Sequence, residues 1–273
     1  MYLAILSATF TVYTADAWSQ TTTGMATSSR TFSDVRNVIL SAHKNTGAQD
    51  KVGFYDTWAE NYEQDVALLD YRAPLLAAEC VSSFFKGDRE KAAVLDVACG
   101  TGLVSAHLKK MGFRHFVGID GSLKMLELAK KTGLYQQLTR CLLGQEEIPV
   151  KSETYDIVII VGALSVGQVP LTVIRELWDA TKPGGYVCMT TRGNTDNREY
   201  KAELEQMIRA LEEEQKWSRV TVVEVEEWEK AVSEQDSKFV LCAPSWSTKY
   251  QECSSWFHMT KKRADFVMFS QGC

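Results

Sequence analysis

Residues Val94 to Leu103, VLDVACGTGL, set the fold. Apolar and small residues around one acid lead into Gly100-Thr101-Gly102, and a helix-forming run follows. That order reads as a buried strand, a tight turn and a helix N-terminus, the mouth of a nucleotide-type pocket. The glycines let the backbone turn sharply and approach a ligand with no side chain in the way. Eighteen residues beyond Gly102, a second apolar run from His115 to Ile119 ends in Asp120. An acid at the end of such a strand accepts hydrogen bonds from both hydroxyls of a ribose.

The charges choose among nucleotides. A phosphate-binding G-x-G-x-x-G wants glycine at 105 and no anion near the turn, whereas the chain has Ser105, and Asp96 four residues before Gly100. Asp96 repels a pyrophosphate and attracts an ammonium by about 1 kcal/mol or more, depending on the local dielectric. S-adenosylmethionine carries an ammonium, a sulfonium and a ribose but no phosphate, so Asp96 and Asp120 favour it over a nicotinamide nucleotide. A nicotinamide-dependent oxidoreductase is the rival from the same enzyme realm.

With both acids in place the sequence resembles the class I S-adenosylmethionine-dependent methyltransferases, whose first motif is acid-x-Gly-x-Gly-x-Gly. Ala98 replaces the first glycine here, a small-for-small change. A narrower resemblance to one branch of these enzymes runs from about Lys51 to about Glu234. It is carried by KVGFYDTWAENYEQDV (Lys51 to Val66), DYRAP (Asp70 to Pro74), GIDGS (Gly118 to Ser122), LGQEEIP (Leu143 to Pro149), VIIVGALSVGQVP (Val158 to Pro170) and TKPGG (Thr181 to Gly185). The resemblance implies a Rossmann-like, doubly wound, mostly parallel α/β sheet of about seven strands with an N-terminal helical lid. It also implies S-adenosyl-L-methionine as cofactor.

The bulk properties agree with an ordinary soluble α/β protein: 273 residues, 45% hydrophobic and 24% charged. A net charge of −5 disfavours a nucleic-acid backbone as substrate. The expected acceptor is therefore a small molecule or a protein, and the expected state a monomer without membrane attachment. Seven scattered cysteines without a C-x-x-C pair point to reduced thiols and a cytoplasmic or nuclear setting. Met1 to Trp18 is apolar but broken by Thr9, Thr11, Thr14 and Asp16 and lacks a basic start, which argues against a signal peptide. Residues 1–30 are expected to be an extension, with 1–24 dispensable and disordered. Residues 31–86 should form the helical lid, 87–235 the core and 236–273 a divergent tail.

Phe32, Val35, Val38, Ile39 and Ala42 recur at helical spacing, predicting a helix from Phe32 to Lys44 capped by Thr31 or Ser33. Tyr55, Trp58, Ala59 and Tyr62 share a helix face, and Pro74 opens another helix, Ala73 to Phe85. Strands are predicted at Val94–Ala98, His115–Asp120, Leu138–Leu142, Tyr155–Val161, Tyr186–Thr191 and Val220–Val225. Helices are predicted at Leu103–Met111, Ser122–Lys131, Leu171–Thr181 and Tyr200–Trp217. Asp265 to Ser270 is the candidate for the last strand. The poor match of the final residues to the family suggests an alternative carboxyl end.

In such sheets ligands lie at the carboxyl ends of the strands, where strand order reverses. The resemblance then implies a set of cofactor contacts. Tyr55 and Tyr62 come from the lid, Ala98, Gly100 and Gly102 from the turn, Asp96 below it, and Asp120, Gly121 and Met125 from the second loop. From the third and fourth loops come Gly144, Gln145 and Val161. Relatives commonly carry an Asp for the adenine amine where this chain has Gly144, so Gln145 is the substitute. No metal site and no catalytic base can be read. Ser165, Gln168 and Arg192 are candidate substrate-pocket residues, and Arg72 either pairs with a carboxylate of cofactor or substrate or forms a surface salt bridge. A non-catalytic protein that binds the cofactor or a partner on this fold stays open as the second class of reading.

Overall fold

The computed structural model describes residues 30–42, 47–225, 228–229 and 264–271. The expectations for residues 1–24, and most of those for the tail, lie outside the described residues.

Seven strands form one sheet: β1 (Ala93–Val97), β2 (His115–Asp120), β3 (Gln137–Arg140), β4 (Tyr155–Leu164), β5 (Thr181–Arg192), β6 (Trp217–Val225) and β7 (Ala264–Gln271), in the order β3-β2-β1-β4-β5-β7-β6. The first five run parallel, and β7 is antiparallel to both β5 and β6. The carboxyl-terminal hairpin is thus completed by the segment around Asp265 to Ser270. The sheet therefore carries an antiparallel edge on a parallel core.

Alternation along the strands sends side chains to two covered faces. Leu95 and Val97 of β1, with Val158 and Ile160 of β4, pack under α6 (Val173–Ala180) and α7 (Arg198–Glu213). Val94 of β1, with Ile157 and Ile159 of β4, packs against α3 (Ala73–Phe84) and α4 (Leu103–Lys110). Burial on both faces explains why these strands read as continuous apolar runs. A third cluster seats α1 (Phe32–Ala42) on α2 (Ala48–Leu68) through Val35, Ile39, Trp58 and Leu69.

Local chemistry sets the helix ends. Thr31 Oγ1 accepts from the Asp34 amide while Asp34 accepts back from the Thr31 amide, a reciprocal cap on α1. Ser122 caps α5 (Leu123–Lys131) by accepting from the Met125 amide. The helix predicted to run from Tyr200 to Trp217 ends instead at Glu213. Gln215 turns through the left-handed region, and Trp217 opens β6 with its indole donating to the Ile208 carbonyl. Helical spacing of Leu204, Ile208 and Leu211 fixed the helix, but the tryptophan's apolar character suited strand and helix equally.

Candidate active site

The chain passes from the sheet edge at β3 back to β4 beside β1, so the strand order reverses between β1 and β4. A crevice enclosing about 820 Å³ of free space, including its open side, lies over their carboxyl ends. Its floor is the turn after β1, where Ala98, Gly100 and Gly102 take φ of 55°, 54° and 99°. Glycine takes that conformation without cost, and Ala98 bears a small strain there.

Asp120, at the end of β2, holds the turn in place. Its Oδ2 accepts from the Gly100 amide at 2.8 Å and its Oδ1 from the Ser122 amide at 2.8 Å. Burial pushes this carboxyl above its ordinary range, and the two amides pull it back. An ionised carboxylate has about four lone-pair sites. Backbone amides use part of this capacity, and the rest is open to a ligand.

Above the floor lies α2, which carries the lid aromatics. Asp56 Oδ1 accepts from Ser122 Oγ at 2.5 Å and from the Lys124 amide at 3.2 Å, so a lid carboxylate sits at the N-terminus of α5. Trp58 is buried, stacks on Tyr55 and meets Tyr62 edge-on, and its indole donates to Asp65 at 2.7 Å. That leaves the two tyrosines to face the crevice. Burial raises both phenols, Tyr55 to about 12, so both stay protonated at neutral pH.

Of the residues expected to touch a cofactor, Tyr55, Tyr62, Ala98, Gly100, Asp120, Gly121, Met125 and Val161 line this crevice. Asp96, Gly102, Gly144 and Gln145 lie outside its wall. Strand alternation turns Asp96 toward α4, on the same side as Val94. There its Oδ2 accepts from Ser105 Oγ at 2.6 Å and from the Tyr135 hydroxyl at 2.8 Å. Ser105, which breaks the dinucleotide pattern, is the residue that holds Asp96, and burial lifts that carboxyl to about 6. Gly102 caps α4 under the Tyr135 ring.

Gly144 and Gln145 line an adjoining cleft that shares Ala48, Leu143, Gln168 and Val169 with the crevice. A Cβ at Gly144 would stand 2.0 Å from Pro170 Cγ, which explains why no aspartate occupies that position. Gln168 lines the crevice, donates to the Ala42 carbonyl at 2.7 Å and hydrogen-bonds Tyr55. Ser165 is buried beneath the loop, and Arg72 is exposed.

Three residues escaped the sequence reading. Lys51 lines the crevice, is buried, and donates to the Ala42 carbonyl. Tyr71 lines it below Gly162 and packs edge-on against Trp228. The Trp228 carbonyl accepts from the Arg72 amide at 2.8 Å, which brings Glu229 beside Tyr55, Tyr62 and Tyr71. Tyr71 lies within the DYRAP stretch, which drew attention for its arginine and proline. Lys51 and Glu229 gave no signal, because a lone charge in a helix or after a strand usually belongs to solvent.

Fold and crevice together define the class: a class I S-adenosylmethionine-dependent methyltransferase core. A methyltransferase-domain family model matches residues 95–189. Human methyltransferase-like protein 27 is 50% identical over 184 residues, covering 67% of this chain and 75% of the relative. The chain belongs to the methyltransferase-like protein 27 family. A ubiquinone biosynthesis O-methyltransferase of Hydrogenovibrio crunogenus is 29% identical over 171 residues, covering 60% of this chain and 67% of that one. Among solved structures the cyclase SpnF superposes with a TM-score of 0.52 at 19% identity over 70% of this chain and 80% of that one, a likeness of fold. Among the described residues no helix is long and apolar enough to cross a membrane, and no cluster of potential metal ligands occurs.

Proposed function

We propose that this chain transfers a methyl group from S-adenosylmethionine to an acceptor that enters beside the lid tyrosines. The observation that carries this reading is Asp120, which lines the crevice and whose two oxygens, held by the Gly100 and Ser122 amides, keep acceptor capacity for a ligand. The pair matches two vicinal hydroxyls, and Met125 and Leu142 offer apolar surface for a flat base next to them. Ala98 and Gly100 would hold the amino-acid part. The cofactor supplies an electrophilic methyl on a sulfonium.

What the chain adds is placement and exclusion of water. Bringing nucleophile and methyl to about 3 to 3.5 Å in line supplies much of the acceleration available to such a displacement. Latched by Asp56 to Ser122, α2 covers the reacting end, and its tyrosines present neutral hydroxyls to a sulfonium. The charge of −5 supports a small-molecule or protein acceptor over nucleic acid. Two measurements test the reading. Calorimetry should find S-adenosylhomocysteine bound by the wild-type chain, and incubation with methyl-labelled donor and fractionated extract should label a small-molecule or protein fraction. Binding without labelling of any fraction would leave a cofactor-binding protein, and absence of binding would end the proposal.

A further inference from the structure

Arg192 closes β5 and is 6% exposed. Its Nε and both terminal nitrogens are buried without a hydrogen-bond partner. Its ion-pair partner among the described residues, half-exposed Asp196, stands 3.7 Å away, too far for a hydrogen bond. Its backbone, by contrast, is firmly fixed. Asn197 Nδ2 donates to the Arg192 carbonyl at 2.7 Å and to Thr191 Oγ1 at 3.1 Å, and Thr191 Oγ1 donates to the Leu164 carbonyl at 2.7 Å. A rigid strand end thus presents five donors that no described residue receives. A buried guanidinium whose donors are all unused is costly to keep.

The surroundings indicate what would satisfy it. Tyr55 and Lys51, both in the crevice wall, lie within electrostatic reach of the guanidinium, as does Glu229. Burial lifts Glu229 to about 8, so at neutral pH it is mostly uncharged and does not cancel Arg192. Lys51 already spends a donor on the Ala42 carbonyl. The guanidinium offers a planar fork, which matches a carboxylate in bidentate geometry.

We propose that Arg192, which lies behind the Tyr55 and Lys51 wall of the crevice and not in it, marks the acceptor subsite and selects a methyl acceptor bearing a carboxylate, which pairs with the guanidinium. Because Tyr55 and Lys51 line the free space while Arg192 is shut off from water, the carboxylate reaches it by displacing one of these α2 side chains. This inference rests on the methyltransferase reading for the word acceptor, while the anion site itself does not depend on the cofactor.

The test uses the full chain and benzoate as probe, titrated with and without saturating S-adenosylhomocysteine. Benzoate should bind the wild-type chain, Arg192→Met should weaken it by about tenfold or more, and Arg192→Lys should fall between, because lysine keeps the charge and loses the fork. S-adenosylhomocysteine affinity should stay within about twofold in both variants, which also reports that they fold. If Arg192→Met does not fold, Arg192→Lys carries the comparison. Benzoate binding that is absent in the wild type, or unchanged in the variants, overturns the proposal. So does a parallel loss of S-adenosylhomocysteine, which would assign the guanidinium to the cofactor's own carboxylate. Tighter binding of inorganic phosphate than of benzoate through Arg192 overturns the carboxylate assignment. Failure of the wild type to bind S-adenosylhomocysteine sinks the methyltransferase reading instead, and benzoate binding by the ligand-free chain still decides the anion site.

Discussion

Asp120, half-buried in the crevice floor, and Glu229, buried behind its lid tyrosines, are carboxyls of one region that are treated differently. Asp120 receives two backbone amides at 2.8 Å, one from the turn after β1 and one from the start of α5. Glu229 has a buried Oε1 with no partner, and the charge that most favours its ionised form, Arg192, is itself unbonded. On the β1–β2 side the backbone prepays for the anion, so a neutral pair of hydroxyls suffices there. On the β5 side the side chains wait for something charged. The contrast separates a prebuilt cofactor cradle from a subsite that only its ligand completes.

Titration offers the largest test of that difference. The folded chain holds a proton on Glu229 up to about pH 8, whereas the unfolded chain loses it near the ordinary 4.5. Folded protein therefore binds more protons across that window, and this group removes stability as pH rises through it. At roughly 1.4 kcal/mol per pKa unit the loss by pH 8 amounts to a few kcal/mol. Glu229→Gln should match the wild type near pH 4.5 and exceed its Tm increasingly toward pH 8, by about 2 to 4 °C for each kcal/mol. A melting difference that is flat in pH would erase the contrast.

Affinity comes next. Asp120→Ala should weaken S-adenosylhomocysteine by about tenfold to a hundredfold, since two hydrogen bonds of about 0.5 to 1.5 kcal/mol each are removed. An unchanged Kd in calorimetry would mean that the cradle is not where the cofactor sits. Smaller again is Gly162→Ala, whose Cβ would stand 2.2 Å from the Tyr71 hydroxyl. Moving that ring, together with the strain of a side chain at φ 75°, should cost about 1 to 3 kcal/mol in denaturant unfolding, and full stability would show that neither the ring nor this turn is firmly held. The smallest effect belongs to Ala98→Gly. Relief of a left-handed alanine, φ 55°, should change stability by no more than about 1 kcal/mol, in the favourable direction. A clear loss would mean that the methyl group packs usefully in the turn.

The two sides also differ in how plainly the sequence announced them. GTG after an apolar strand, and Asp120 after the next, declare the cradle because each depends on residues adjacent in the chain. The departure at Gly144 was visible but not its cause, since Pro170 lies 26 positions away. Asp96 was recognised as important and assigned to the ligand. Strand alternation, with Ser105 and Tyr135 as partners, turns it into the packing beneath the turn instead. Arg192 was named as a pocket candidate without its neighbour Glu229, which reaches the site because the Trp228 carbonyl is bonded to the start of α3.

Sequence by itself determined the alternation of strands and helices, the strand-turn-helix cradle and the class of ligand it favours, because these follow from apolar period, glycine placement and near-neighbour charge. Tertiary structure decided which charges are left unsatisfied. Burial and the presence or absence of a partner are properties of what packs over a side chain, and at Arg192, Lys51 and Glu229 the packing comes from distant stretches of chain.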